Sequence, residues 1–298
     1  MLKRWLIEVL IKPLIRAEVP GWGRLYAKFI GSWQSNEFWK GSRPKIIIDK
    51  RCGYYRVANI CEWADRSLYF LGRWYDLAAS LAVESLLKDG QSVLDIGANY
   101  GHFTLAAAKA VGPNGNVVSF EPNPKAYARL LVHLDLNRLS WVTAKNAGLS
   151  DRAGRMKLSI PQVNSGEATF GLTRYEDVST IDVPVYTVDE FLGDKKFDFI
   201  KIDVEGFEMH VLRGAKRIIE RDRPLILTEV VGRHLESAGQ NPGNLLQFFE
   251  SLNYQGYRMG LRGVGAKQRL HLEENTGTIE QDGDYIWVCK SKKYYLEN

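Results

Sequence analysis

Residues 93–110 read VLDIGANYGHFTLAAAKA, and one aspartate, two glycines and an asparagine set between a β-type run and an alanine-rich run decide the fold. Ser92–Ile96 has the composition of a short buried strand, and 103–110 that of a helix. A strand passing into a helix through a glycine turn opens a doubly wound sheet, where ligands sit beyond the strand ends against unpaired backbone N–H groups. Gly97 and Gly101 supply backbone conformations that a Cβ would forbid.

The same rhythm continues downstream. Strands are predicted at 116–120, 141–144, 197–204 and 224–230, with helices at 125–136 and 210–220. This alternation predicts an α/β fold, a parallel sheet with helices on both faces. Residues 154–185 break the pattern with short extended segments, expected as an insertion near the ligand face, and 284–290 suits a last strand.

At 298 residues, 45% hydrophobic and 25% charged, the chain has material for one large domain, expected at 71–298, plus an aromatic-rich, helical extension at 1–70. Cys52, Cys61 and Cys289 lack the spacing of a zinc site or a disulfide framework, which fits a reducing cytoplasm. No apolar run reaches the roughly 20 residues of a bilayer span. The net charge of +5 is uneven: residues 1–50 hold ten Lys/Arg and four Asp/Glu, a balance of +6, which leaves −1 elsewhere. A near-neutral main domain argues against nucleic acid as partner.

Leu2, Trp5, Leu6, Val9 and Leu10 form an amphipathic stripe. The expected role is packing on the main domain or a second subunit. The alternative is a weak membrane-surface or protein contact, which would make the protein membrane-peripheral. No oligomeric state follows from these residues.

A dinucleotide site would place a glycine at the centre of its turn, where this chain has Asn99, and Asp95 would repel a diphosphate. The loop suits a cationic ligand better. Glu121 ends the second strand, 26 residues beyond Asp95 (121 − 95), and one carboxylate there can accept hydrogen bonds from both hydroxyls of a ribose. A nucleoside carrying a positive group is S-adenosylmethionine.

VLDIGANYG, SFEPNP, NAGLSDRAG, YTVDEFL and FIKIDVEGFEMHVLRGA, in this order, resemble the FkbM-type S-adenosylmethionine-dependent methyltransferases over about residues 71–230. The resemblance implies a class I methyltransferase fold, with seven strands of which the last is antiparallel. It also implies O-methylation of a small molecule, sugar or natural product. Carried over to this sequence, it puts Asp95, Gly97, Asn99 and Gly101 in the methionine-side loop, Glu121 on the ribose, and Ala147, Gly148 and Leu149 along the adenine. Ala98, Phe103 and Pro122 join the cofactor contacts implied, and FLGRWYD resembles the family's lead-in, with Asp76 in place of the usual Glu and Tyr75 as a lid.

Within FDFIKIDVEGFE, Lys201, Asp203 and Glu205 alternate with apolar residues on a strand that should be buried on both faces. Buried charges are costly unless paired or used. Either a Lys201–carboxylate pair locks the strand, or Asp203 contacts the methionine amino group or the acceptor, with Glu205 beside it. Asp203, Glu205, His102 and Glu229 are the candidate catalytic bases; the bland partner for Glu229 is Lys201. Asp203, Glu205 and Glu229 could offer oxygens to magnesium, but His133, His210, His234 and His271 are scattered and no metal is expected. Residues 165–169, SGEAT, resemble a segment bordering the active site.

Two other functions share this architecture: a module that binds S-adenosylmethionine without turnover, and a nicotinamide-dependent oxidoreductase, which Asn99 and Asp95 oppose.

Overall fold

The structure, a computed structural model, describes residues 2–161, 165–263 and 267–292, and for Trp33 and Ser165 the backbone alone. Among the described residues the strands are β1 (Lys45–Ile48), β2 (Tyr55–Ala58), β3 (Ser92–Ile96), β4 (Asn116–Phe120), β5 (Val142–Lys145), β6 (Gly148–Leu149) and β7 (Gly154–Pro161). The chain continues with β8 (Val178–Tyr186), β9 (Phe199–Ile202), β10 (Leu225–Val230), β11 (Tyr254–Arg262), β12 (Arg269–Glu274) and β13 (Gly283–Cys289).

The main sheet runs β12-β11-β13-β10-β9-β3-β4-β5. Strands β10, β9, β3, β4 and β5 are parallel, and β13 inserts antiparallel between β10 and β11. These are the seven strands expected, with the last one reversed, and β12 adds an antiparallel eighth at the edge. The order fixes the class I methyltransferase fold. The irregular segment after β5 is a separate sheet, β6-β8-β7.

Alternation along each strand feeds two cores. Leu94, Ile96, Val118, Phe120, Ile200, Ile202 and Ile226 pack on one face, and Val93, Val117, Phe199, Leu225 and Leu227 on the other. All are buried, as a sheet covered on both sides requires.

The extension has its own core of Ile7, Ile15, Ile30, Trp39, Ile47, Ile60, Leu68 and Phe70. It is not purely helical, because β1 and β2 form an antiparallel hairpin. The hairpin is fastened to the main domain by polar contacts. The Val57 N–H donates to His133 Nε2 (3.1 Å), leaving Nδ1 to donate to the Tyr100 carbonyl (2.8 Å), and the Arg56 guanidinium reaches the ring and carbonyl of His102. Helix Leu2–Leu6 continues through a π-type segment, Ile7–Ile11, into Lys12–Arg16. Its inward residues are Ile7 and Ile15; the stripe of Leu2, Trp5, Leu6, Val9 and Leu10 faces outward and does not pack on the main domain.

The glycine turn owes its sequence to a close approach. Gly97 has φ +78°, and a Cβ there would lie 1.8 Å from the Asp203 carbonyl oxygen. Asn99, at φ +49°, is one of the few residue types that accept the left-handed region. Replacing Gly97 by Ala is therefore expected to destabilise the fold by roughly 2–3 kcal/mol, from overpacking and an unsuitable φ together. Urea unfolding of Gly97→Ala checks this; an unchanged midpoint would contradict the reading.

Candidate functional site

A cavity of about 1020 Å³ opens at the carboxyl ends of β3, β4, β9 and β10. Gly97, Asn99 and Tyr100 from the glycine turn, Glu121 and Pro122 after β4, and Ala147, Gly148 and Leu149 at β6 line one side. Asp203, Glu205, Glu229 and His234 line another, with Tyr75 and, from the extension, Asn36, Glu62 and Trp63. Parallel pairing of β3 with both β4 and β9 brings these segments, distant in sequence, to one rim.

Glu121 is buried, with its two oxygens held by the backbone N–H groups of Asn99 (2.7 Å) and Asn123 (2.8 Å). Burial pushes its carboxyl up to about 7, against the pull of those N–H donors. A carboxylate fixed by two donors retains lone pairs for further hydroxyl donors, which is what a ribose offers.

Lys201 joins the strands beneath the cavity. Its Nζ lies 3.2 Å from Asp203 Oδ2 and 3.5 Å from Asp95 Oδ1, and donates to the Gly97 carbonyl at 2.7 Å. Burial alone would discharge this amine, but Asp203 and Asp95 outweigh it and hold its proton more tightly than usual. The locking pair foreseen in the sequence thus exists, and it involves Asp95 as well.

Five of the predicted site residues lie outside the cavity lining. Asp95 is wholly buried, paired with Lys201 and accepting from Thr104 Oγ1 at 2.5 Å, so it supports the loop from below instead of lining the cavity. His102 is buried and stacked on Trp74 (5.7 Å, 10° between planes), with Arg56 against its Nδ1. Burial first, then the Arg56 charge, hold its pKa well below the usual value; it does not line the cavity and cannot serve as base there. Ala98 and Gly101, within the turn, and Phe103, in the helix after it, are buried and also lie outside the lining. Asp76 instead caps helix Leu77–Leu86 by accepting from the Ala79 N–H (2.9 Å).

His234, which the sequence left among scattered histidines, is the residue missed. Its Nδ1 sits 2.9 Å from Glu205 Oε2 and 3.8 Å from Glu229 Oε2. The placement depends on Gly206, where a Cβ would meet the His234 carbonyl oxygen at 2.1 Å. The sequence signal was the glycine of DVEG, which marks a close backbone approach without naming its partner. Contacts with Glu205 and Glu229 raise the His234 pKa to about 10, against its burial. Burial and the neighbouring Glu229 and Asp203 charges raise Glu205 to about 7, although His234 opposes this. Glu229, for which a bridge to Lys201 was the alternative to a base role, lies instead 3.8 Å from His234 Nδ1. In the 165–169 segment, Glu167 and Ala168 line the cavity and the Thr169 hydroxyl donates to the Glu205 carbonyl at 2.9 Å; the Ser165 side chain lies outside the described residues.

The ligand atoms of Glu205, Glu229 and His234 lie within 4.8 Å of one another, a spacing that a divalent cation could bridge. A metal-bound imidazole usually donates its other N–H to an acceptor. Here that position faces a donor, the Arg233 guanidinium, 3.3 Å from Nε2.

Fold and site define an S-adenosylmethionine-dependent methyltransferase. The profile described as Methyltransferase FkbM domain matches residues 95–259, more than half of the chain, and the protein belongs to that family. Methyltransferase sdnD of Sordaria araneosa is 26% identical over 232 residues, 67% of this chain and 85% of the relative. Hexuronic acid methyltransferase AglP of Haloferax volcanii is 28% identical over 176 residues, 55% and 70% of the two chains. Methyltransferase 1 of Beauveria bassiana is 26% identical over 166 residues; the match spans 49% of this chain and 64% of that protein's length.

Glu208 supplies a pH prediction. It is buried, its Oε1 accepts from the N–H groups of Val204 (3.2 Å) and Gly206 (3.1 Å), and burial pushes its carboxyl up to about 8. A carboxyl raised on folding stabilises most when protonated. Stability linked to Glu208, Glu121 and Glu205 is therefore full below about pH 4.5 and is lost as pH rises through about 7 to 8. Urea midpoints of the ligand-free protein should fall across that window, and Glu208→Gln should flatten the fall; an equal slope in the variant would refute this.

Proposed function

We propose that the protein transfers the methyl group of S-adenosylmethionine to a hydroxyl oxygen of a small molecule or sugar. In this reading residues 71–298 are the catalytic domain, and the extension, through Asn36, Glu62 and Trp63, walls the acceptor side of the cavity. The observation that carries it is a nucleoside-type subsite, Gly97 to Glu121, facing a half-buried carboxylate–imidazole cluster across one cavity. The name of the Haloferax volcanii relative, a hexuronic acid methyltransferase, supports a sugar-like acceptor.

Glu121 accepts the ribose hydroxyls, Asn99 and Gly97 border the methionine portion, and Ala147 to Leu149 flank the adenine. Asp203, half-exposed beside Lys201, receives the ammonium. The cofactor supplies a methyl group on a sulfonium, and the protein's task is to hold the acceptor oxygen in line with it. Glu205, with a pKa of about 7, is matched to taking a hydroxyl proton near neutral pH, and His234 orients it. A binding module without turnover would not need such a cluster opposite the nucleoside.

Two experiments separate binding from chemistry. Glu121→Ala should weaken cofactor affinity roughly tenfold or more in calorimetry, since it removes a charge-assisted acceptor. Glu205→Gln should leave that affinity within about twofold yet lower methylation of an accepted substrate by roughly 10²-fold or more. Intact turnover in Glu205→Gln would remove it from the base role. Turnover is also expected to survive EDTA; loss restored by magnesium would reassign Glu205, Glu229 and His234 as metal ligands.

A further inference from the structure

The helical run at residues 2–16 leaves Leu2, Trp5, Leu6, Val9, Leu10 and Leu14 on its surface, each between 39% and 70% exposed. Their spacing is a continuous apolar stripe along one side of the helix, while Ile7 and Ile15 on the other side fill the extension's core. More than a third of each of these side chains is thus left to solvent. Phe38, itself exposed, extends the patch, with the Arg4 guanidinium 5.6 Å from its ring.

The rim of this patch is basic. Arg4 donates to the Lys40 carbonyl at 2.9 Å, which places Lys40 and its neighbour Arg43 beside the start of the helix, next to Lys3. Among the described residues no carboxylate comes within ion-pair distance of Lys3 or Arg43. The acids of this region are already engaged: Glu8 by Lys45, Glu18 by Lys50 and Arg73, Glu37 by Lys40, Asp49 by Arg56. Lys3 and Arg43, both exposed, thus stand as uncompensated positive charge beside the apolar stripe. A second copy of this chain on the same face would set positive rim against positive rim. An anionic lipid surface presents the opposite charge over an apolar interior, matching both parts of the patch.

We propose that this stripe seats the protein in the interface of an anionic bilayer, with Trp5, Leu6, Val9 and Leu10 in the acyl boundary and the basic rim on the headgroups. The proposed contact is with the membrane surface; no helix among the described residues is long and apolar enough to span a bilayer. The inference is independent of the methyl-transfer reading.

The test is co-sedimentation of the full chain with vesicles of phosphatidylcholine alone or with about 30% phosphatidylserine, near the charge of a cytoplasmic leaflet. Pelleting is expected with the anionic vesicles and should be much reduced with neutral ones. The double variant Trp5→Glu/Leu10→Glu should lower binding roughly tenfold or more, and Lys3→Glu/Arg43→Glu should lower it and weaken its salt dependence. Both variants change exposed residues and should keep wild-type affinity for S-adenosylmethionine, which reports the fold. Should the first variant unfold, brominated-acyl lipids provide a second readout: quenching of tryptophan emission that falls in Trp5→Phe. Failure of the wild type to pellet, equal pelleting of the Trp5/Leu10 variant, or a dimer in light scattering that this variant dissolves would each overturn the proposal, the last in favour of a second copy.

Discussion

A single ammonium group sets the geometry of the sheet's functional end. Lys201 lies on the central strand β9, buried, next to Asp95 on β3 in register, and reaches Asp203 and the Gly97 carbonyl. An amine there would be costly in isolation. With two carboxylates and a carbonyl it becomes a clamp holding the glycine turn against the strand that carries the acidic cluster. Both halves of the site take their positions from it: Gly97 can press on the Asp203 backbone only as glycine, and the turn beyond delivers Asn99 to Glu121.

The second half rests on a similar trade. Val204 to Gly206 form a turn whose N–H groups are satisfied by the buried Glu208 carboxyl, and the turn in turn admits the backbone of His234. Burial, more than any neighbour, lifts the carboxyls of Glu121, Glu205 and Glu208 toward neutrality. That condition suits a pocket whose occupant brings its own positive charge.

Much of this was legible in the sequence. The parallel sheet follows from alternating segments, its reversed last strand from the family resemblance, and Glu121, Asn99 and the 147–149 run line the cavity as their motifs implied. What could not be read was depth. Asp95 and His102 flank the turn in sequence, yet strand register and helix phase turn both away from the cavity, toward Lys201 and Arg56. His234 was invisible for the converse reason: it is 29 residues beyond Glu205 (234 − 205), and only the packing of the helix after β10 brings them together. The outward stripe of the first helix shows the same limit, since periodicity gives an apolar face without saying what covers it.

The contact between Arg56 and the start of helix His102–Val111 bears on how the molecule can be divided. Arg56 comes from the hairpin of the extension, and with His133 and Arg129 it stitches β2 to the two helices that follow the cofactor-side turns. The extension is therefore not a detachable leader. Trimming the chain back to residue 71 would take the Arg56 guanidinium from His102 and strip the His133 imidazole of its donor, so the two helices beside the cavity draw part of their rigidity from sequence outside the family motifs.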